Sequence, residues 1–252
     1  MVYAREIDGE TLTFGDAGKV LRNALVVYDH QTQSQWSQFI GEAVTGSYQG
    51  TALDLIPSQI TTWLAWKSNH PDTLAIQKDK VLAFDMNQIY YGSSMAGLTG
   101  EAIQDTRLPA KEHVIGLANG EDVMAYPFSI FENEPVVNHS LGDTDVLIAF
   151  DSASGTASIF DRDVDGNTLR FKDVGLQEEG YLVIQDSDTD TIWHALGGRA
   201  ISGTLSGTTL NKLPGHMTYW FHGKIIIRRL KSTDNKTVVD SPRQISWINE
   251  TA

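Results

Sequence analysis

The chain has 252 residues, 41% of them hydrophobic, and 32 acidic against 19 basic residues give a formal net charge of −13 at pH 7. That apolar content supports a packed core and excludes wholesale disorder, while the negative charge disfavours nucleic acid and anionic lipid as partners. There is no cysteine, which excludes disulfides, thiol catalysis and cysteine–zinc sites from this chain, and no apolar run reaches the ~18 residues of a membrane helix.

In chain order, the opening "MVYAREIDGE" lacks the basic-then-apolar pattern of a signal peptide. It reads as the middle of a strand, with Asp8-Gly9 as a turn. "ALVVYD" (24–29) is a further strand, and "EAVTGSYQGTALDLIP" (42–57) reads as paired strands punctuated by glycine. After Pro57 the pattern predicts a short helix capped by Ser58, with Ile60, Trp63 and Leu64 as its apolar stripe and His70-Pro71 as its stop. Residues 85–108 read as irregular and surface-wrapping. Strands are predicted at 113–118, 122–126 and 145–150, with a helical turn at 128–132. "GYLVIQD" (180–186) and "RAISGTLSGTTLNKLP" (199–214) complete the strand set. The expected fold is mainly β, built of short antiparallel strands and hairpins with a few short helices; α+β is the alternative.

The segment "IFDRDVDGNTLRF" (159–171) needs its own reading, because Asp161, Asp163, Asp165 and Gly166 match the start of an EF-hand loop. Calcium there requires a bidentate Glu at the twelfth position, and that position is Lys172. The flanks are rich in aromatic and branched residues, not helical. Asp-Gly between alternating runs is the signature of a type I′ hairpin, whose two central residues need φ > 0. The hairpin is therefore the favoured reading and the Asp161, Asp163, Asp165 metal loop the weak alternative. It places Phe160, Arg162 and Val164 on one strand face, with Leu169 and Phe171 on the return strand.

Sliding the chain against itself by 157 positions aligns 2–63 with 159–220 without a gap, at 22 identities in 62 positions. An ungapped match that carries Gly, Pro and Trp is the signature of a duplication. The pairs include Arg5/Arg162, Asp8-Gly9/Asp165-Gly166, Asp29/Asp186, Trp36/Trp193 and Trp63/Trp220. Ala4 and Glu6 stand where the second repeat has Asp161 and Asp163, so the hairpin is the shared design and the acidic ladder is not. The organisation expected is a first repeat at 1–84, a linker at 85–108, a second repeat at 109–221 with an additional front portion (109–158), and a tail at 222–252.

Candidate sites are few. "GSSMA" (92–96) approaches a nucleophile elbow, but Ala96 replaces its last glycine. The histidines show no metal-binding spacing, and His30 and His194 read as surface or packing residues. Trp36, Trp63, Trp193 and Trp220 read as core, with a pocket between the repeats as the alternative. Arg5 and Arg162 sit among apolar neighbours and need carboxylates. Asp29/Asp186 or Asp16/Asp173 are the candidates, and anion binding is the other role. No cofactor and no catalytic residue is predicted.

"LDLIPSQITTWLAWKSNHPDT", "LPAKEHVIGL", "VMAYPFSIFENEPVVNHS" and "SGTASIFDRDVDGNTLRF" resemble the bacterial and archaeal family catalogued as domain of unknown function 3179, over roughly residues 2–221. The resemblance implies a tandem duplication, export from the cytoplasm for a full-length form, and a Cys-Pro-x-Cys motif just ahead of Met1. Asp151 and Ser154 occupy the matching positions of the second half. Two functions follow as expectations: a non-catalytic β-rich scaffold or ligand-binding module, or a fragment of an extracytoplasmic redox or metal-dependent protein. Without the strands that pair with 2–7, an exposed edge and self-association through it are expected. Under one synonymous codon choice, shifting the frame across His222–Arg229 reads W-K-D-Y-Y-P-T, close to the first repeat's "WKSNHPDT". The expectation is a frameshift after about Phe221, with 222–252 poorly packed.

Overall fold

A computed structural model describes residues 1–21, 23–76, 86–97, 106–120, 122–178 and 181–221. The expectation for the tail, 222–252, lies outside the described residues. The first repeat contains β1 (Val2–Tyr3), β2 (Glu6–Ile7), β3 (Glu10–Thr11), β4 (Phe14–Leu21), β5 (Ala24–Asp29), β6 (Gln35–Ser37), β7 (Glu42–Thr45) and β8 (Leu55–Ile56). Two helices follow, α1 (Trp63–Asn69) and α2 (Met86–Gly92). The front portion of the second repeat supplies β9 (His113–Asn119), β10 (Asp122–Pro127), α3 (Phe128–Phe131), β11 (Val136–Leu141) and β12 (Thr144–Asp151). Then come β13 (Thr156–Asp161), β14 (Asp163–Val164), β15 (Asn167–Thr168), β16 (Phe171–Glu178), β17 (Tyr181–Asp186), β18 (Ile192–His194), β19 (Ala200–Ser202) and β20 (His216–Tyr219). The molecule is β-rich, as the turn spacing predicts.

The two repeats fold alike down to single hydrogen bonds. Each carries a four-stranded antiparallel sheet, β4-β5-β6-β7 and β16-β17-β18-β19, with Phe14 opposite Asp29 and Phe171 opposite Asp186. In each, an aspartate breaks the ladder at the same place: Asp16 accepts from the Gly18 amide and Asp173 from the Gly175 amide, at 2.7 and 2.9 Å. Both hairpins turn on a left-handed pair, Asp8-Gly9 at φ 51° and 81° and Asp165-Gly166 at φ 53° and 81°, the geometry of a type I′ turn.

The core of the second repeat is the larger. Phe160, Val164, Leu169, Phe171, Ile184, Trp193, Ala200 and Leu210 are buried together, and Val136, Leu147 and Ala149 of the front portion close over them. The first repeat buries Leu12, Trp36, Ala43 and Leu53, while Tyr3, Ile7, Phe14 and Val27 stay half-buried around them. The front portion forms a second core of its own. Ile115, Leu117, Tyr126, Phe131, Val137 and Ile148 pack there with Ile159, and Leu213 and Met217 lie against it. The Asn138 side chain clamps this layer to β16, donating to the Phe171 carbonyl at 2.7 Å and accepting from its amide at 2.8 Å.

Two local expectations are corrected. α1 starts at Trp63 with Thr62, not Ser58, as its cap. Residues 59–61 remain outside the helix because Gln59 and Thr61 are tied across the molecule, to Leu196 and Thr156. The stripe of Ile60, Trp63 and Leu64 is exposed instead of packed. Residues 85–108, expected to be irregular, hold α2.

Candidate functional site: a cleft between the repeats

The duplicated residues build two identical anchors before they build any site. Asp29 is fully buried, and its carboxylate accepts from the Trp36 indole at 2.9 Å and from the Thr32 amide and hydroxyl. Asp186 repeats this with Trp193 at 2.8 Å and with Thr189. The threonine hydroxyl meets Ser34 in one repeat and Thr191 in the other, both at 2.7 Å. Burial raises the pKa of Asp29, but the donors from Trp36, Thr32 and Ser34 together outweigh it and leave the group below its ordinary value. These carboxylates are acceptors for a tryptophan and a turn. They are not the partners of Arg5 and Arg162.

Arg162 pairs with Asp145 at 3.1 Å, which corrects the expectation of Asp29/Asp186 or Asp16/Asp173. Its guanidinium also donates to the Leu169 and His139 carbonyls. The Ser140 hydroxyl, Arg162 and the Thr168 hydroxyl hold Asp145 below the usual carboxylate range, against the effect of burial. Arg5 is exposed. Asp161 and Asp163 accept from turn amides, of Asp163 and Gly166 respectively, and Asp165 sits at the φ > 0 corner. Among the described residues no group of three or more acidic or histidine side chains is placed to hold a metal. Trp36 and Trp193 are core, as expected. Trp220 is buried beneath the Arg107 guanidinium, 5.1 Å from its ring centre, whereas Trp63 is exposed.

None of these residues lines the cleft that the fold creates. That cleft, of about 650 Å³, opens between the 59–70 segment and the 194–209 loops of the second repeat. One wall carries Gln59, Thr61, Trp66 and His70; the other carries His194, Arg199, Ser206 and Thr209, with Thr156 also in the lining. Two polar ties close its base. Gln59 donates to the Ser158 hydroxyl and to the Leu196 carbonyl, the latter at 3.1 Å. Thr156 meets Thr61 at 2.8 Å and Ser154 at 2.7 Å, and Ser154 donates to Asp151 at 2.5 Å. Asp151 and Ser154, the pair at the motif positions, thus form a closed turn leading into the cleft wall.

The chemistry of the lining is specific. The Trp66 and His70 rings lie with centres 4.1 Å apart at a tilt of 37°, and the Trp66 indole is anchored to the Thr73 hydroxyl at 3.0 Å. The Gly197 amide donates to His194 Nδ1 at 2.9 Å, so the neutral ring carries its proton on Nε2. Burial holds His194 below its ordinary pKa, against a smaller opposing backbone hydrogen bond. Arg199 is exposed into the cleft and makes no ion pair among the described residues. No Asp or Glu stands among the described lining residues, although acidic residues outnumber basic ones in the chain. Of the lining residues only His194 was weighed from sequence as a ligand, and read as a surface or packing residue; the repeat alignment alone carries no signal for a surface that both repeats build together.

Fold and cleft define a duplicated antiparallel β protein with a polar, cation-bearing groove between its repeats. The chain belongs to the family described as Protein of unknown function (DUF3179), whose model matches residues 1–153 and again 96–226, two overlapping matches consistent with the tandem duplication. No curated protein and no solved structure matches it.

Proposed function

We propose that the protein is a binding module and that the cleft between the repeats holds a small anionic ligand with an apolar body. The single observation that carries this reading is the composition of the lining: Arg199 with no ion-pair partner among the described residues, the Thr209 hydroxyl, the Trp66–His70 ring pair, and no described carboxylate. A volume of about 650 Å³ lies within the range of ordinary small-molecule sites, roughly 300–1,000 Å³. An arginine fork suits a carboxylate or phosphate, and an aromatic face suits the ligand body. The test is a thermal-shift and calorimetric screen of aromatic and aliphatic carboxylates against the chain and its Arg199→Ala and Trp66→Ala variants. Binding that Arg199→Ala weakens about tenfold or more supports the reading. Anions that bind equally to the variant, or no anion binding at all, would reject it.

A further inference from the structure

The second repeat shows what covers a surface that the first repeat leaves open. Ile159 is 1% exposed and its counterpart Val2 is 48% exposed; Trp220 is 3% exposed and its counterpart Trp63 is 53% exposed. The difference comes from the front portion. β12 pairs with β13 along Ile148 opposite Ile159, β9 pairs with β20, and the Trp220 amide donates to the Glu112 carbonyl. In the first repeat, β1 is bonded among the described residues to β8 alone. Residues 59–62, the counterparts of β20, have no ladder partner among the described residues. Ile56 and Ile60 lie exposed where Leu213 and Met217 rest against the front portion's core.

Charge says the same as burial. Arg162 is paired with Asp145, which belongs to the front portion; Arg5, its counterpart, is exposed. The uncovered residues are therefore four apolar side chains, Val2, Ile56, Ile60 and Trp63, and one cation, Arg5, beside β1, whose only ladder partner among the described residues is β8. That pattern fits strand addition, where backbone bonds give affinity and side-chain pockets give register.

We propose that this face of the first repeat is a docking surface for a β-meander polypeptide of the kind formed by residues 109–151, carrying a carboxylate that pairs with Arg5. The docked strands complete the half-buried core around Tyr3, Ile7 and Phe14 as Val136, Leu147 and Ala149 complete that of the second repeat. The inference is separate from the cleft, since none of Val2, Arg5, Ile56, Ile60 and Trp63 is among the cleft's lining residues.

The test joins an added segment of sequence 109–158 directly to Val2 of the full chain, the position that Ile159 holds in the second repeat. Docking predicts a blue shift of Trp63 emission, read against a Trp63→Phe control, and at least tenfold slower amide exchange across 2–7 and 59–63. Arg5→Met in the extended chain should lose most of that protection, while Arg5→Met in the unextended chain should change exchange less than twofold. Unchanged Trp63 emission and exchange would overturn the proposal, as would protection insensitive to Arg5. Light scattering covers the other occupant: an unextended chain that is a dimer, with 2–7 already protected, would assign the face to a second molecule of this chain and overturn the proposal too.

Discussion

At the scale of single residues, the duplicated Asp–Trp–Thr anchor is the clearest case of one solution used twice. A buried carboxylate is costly unless its lone pairs are filled, and Asp29 and Asp186 are each filled by an indole, an amide and a hydroxyl from within their own turn. Hydrogen bonds to a charged group contribute about 1.5–3 kcal/mol net, so Asp29→Asn should lower stability by about that much in urea unfolding at pH 7. The sign with pH follows from the direction of the shift. The folded-state pKa of Asp29 lies below its ordinary value of 3.8, so its contribution is complete above that value and is lost as pH falls through the folded pKa. The gap between the natural chain and Asp29→Asn should therefore narrow between pH 5 and the acid limit of folding. A gap that widened on acidification would contradict the assignment.

At the scale of elements, the left-handed glycines that end the 38–41 and 195–198 turns show how context grades an identical rule. Gly41 and Gly198 have φ 72° and 70°, and a Cβ on either would overlap the ring of Tyr3 or Phe160. Either Ala substitution carries a backbone cost of order 1–3 kcal/mol. Gly198→Ala should cost more, because Phe160 is fully buried beneath the front portion while Tyr3 is only half-buried. Paired melting curves of the two variants check the order. The same contrast explains what could be read in advance. The Asp-Gly hairpins, the paired tryptophans and the β-rich class were legible because turn chemistry and repeat spacing are local. The partner of Arg162 was not, since Asp145 comes from a segment present once. The start of α1 moved from Ser58 to Thr62 for a similar reason: Gln59 and Thr61 bond to the other repeat. The cleft was illegible throughout, as its walls share no periodicity and meet only once both repeats have folded.

At the scale of the molecule, the two halves share a plan but not a depth of burial. Ile184 is buried and its counterpart Val27 only half-buried; the same holds for Phe171 and Phe14. Local opening follows buried apolar contact. Amides of β5 should therefore exchange at least tenfold faster than those of β17 at pH 7, with the first repeat opening ahead of the second. Equal protection of β5 and β17 in native-state exchange would show that the halves open as one unit.

The matched registers have a kinetic side. Phe14 faces Asp29 and Phe171 faces Asp186, with the ladder interrupted after Asp16 and after Asp173, so either long strand can meet the other repeat's partner with its main anchors in place. Such exchange between repeats is a known route to trapped intermediates. During refolding, the shared template makes each half a decoy for the other, and only residues that differ, Lys19 against Leu176 or Gln33 against Asp190, discourage the crossed assembly.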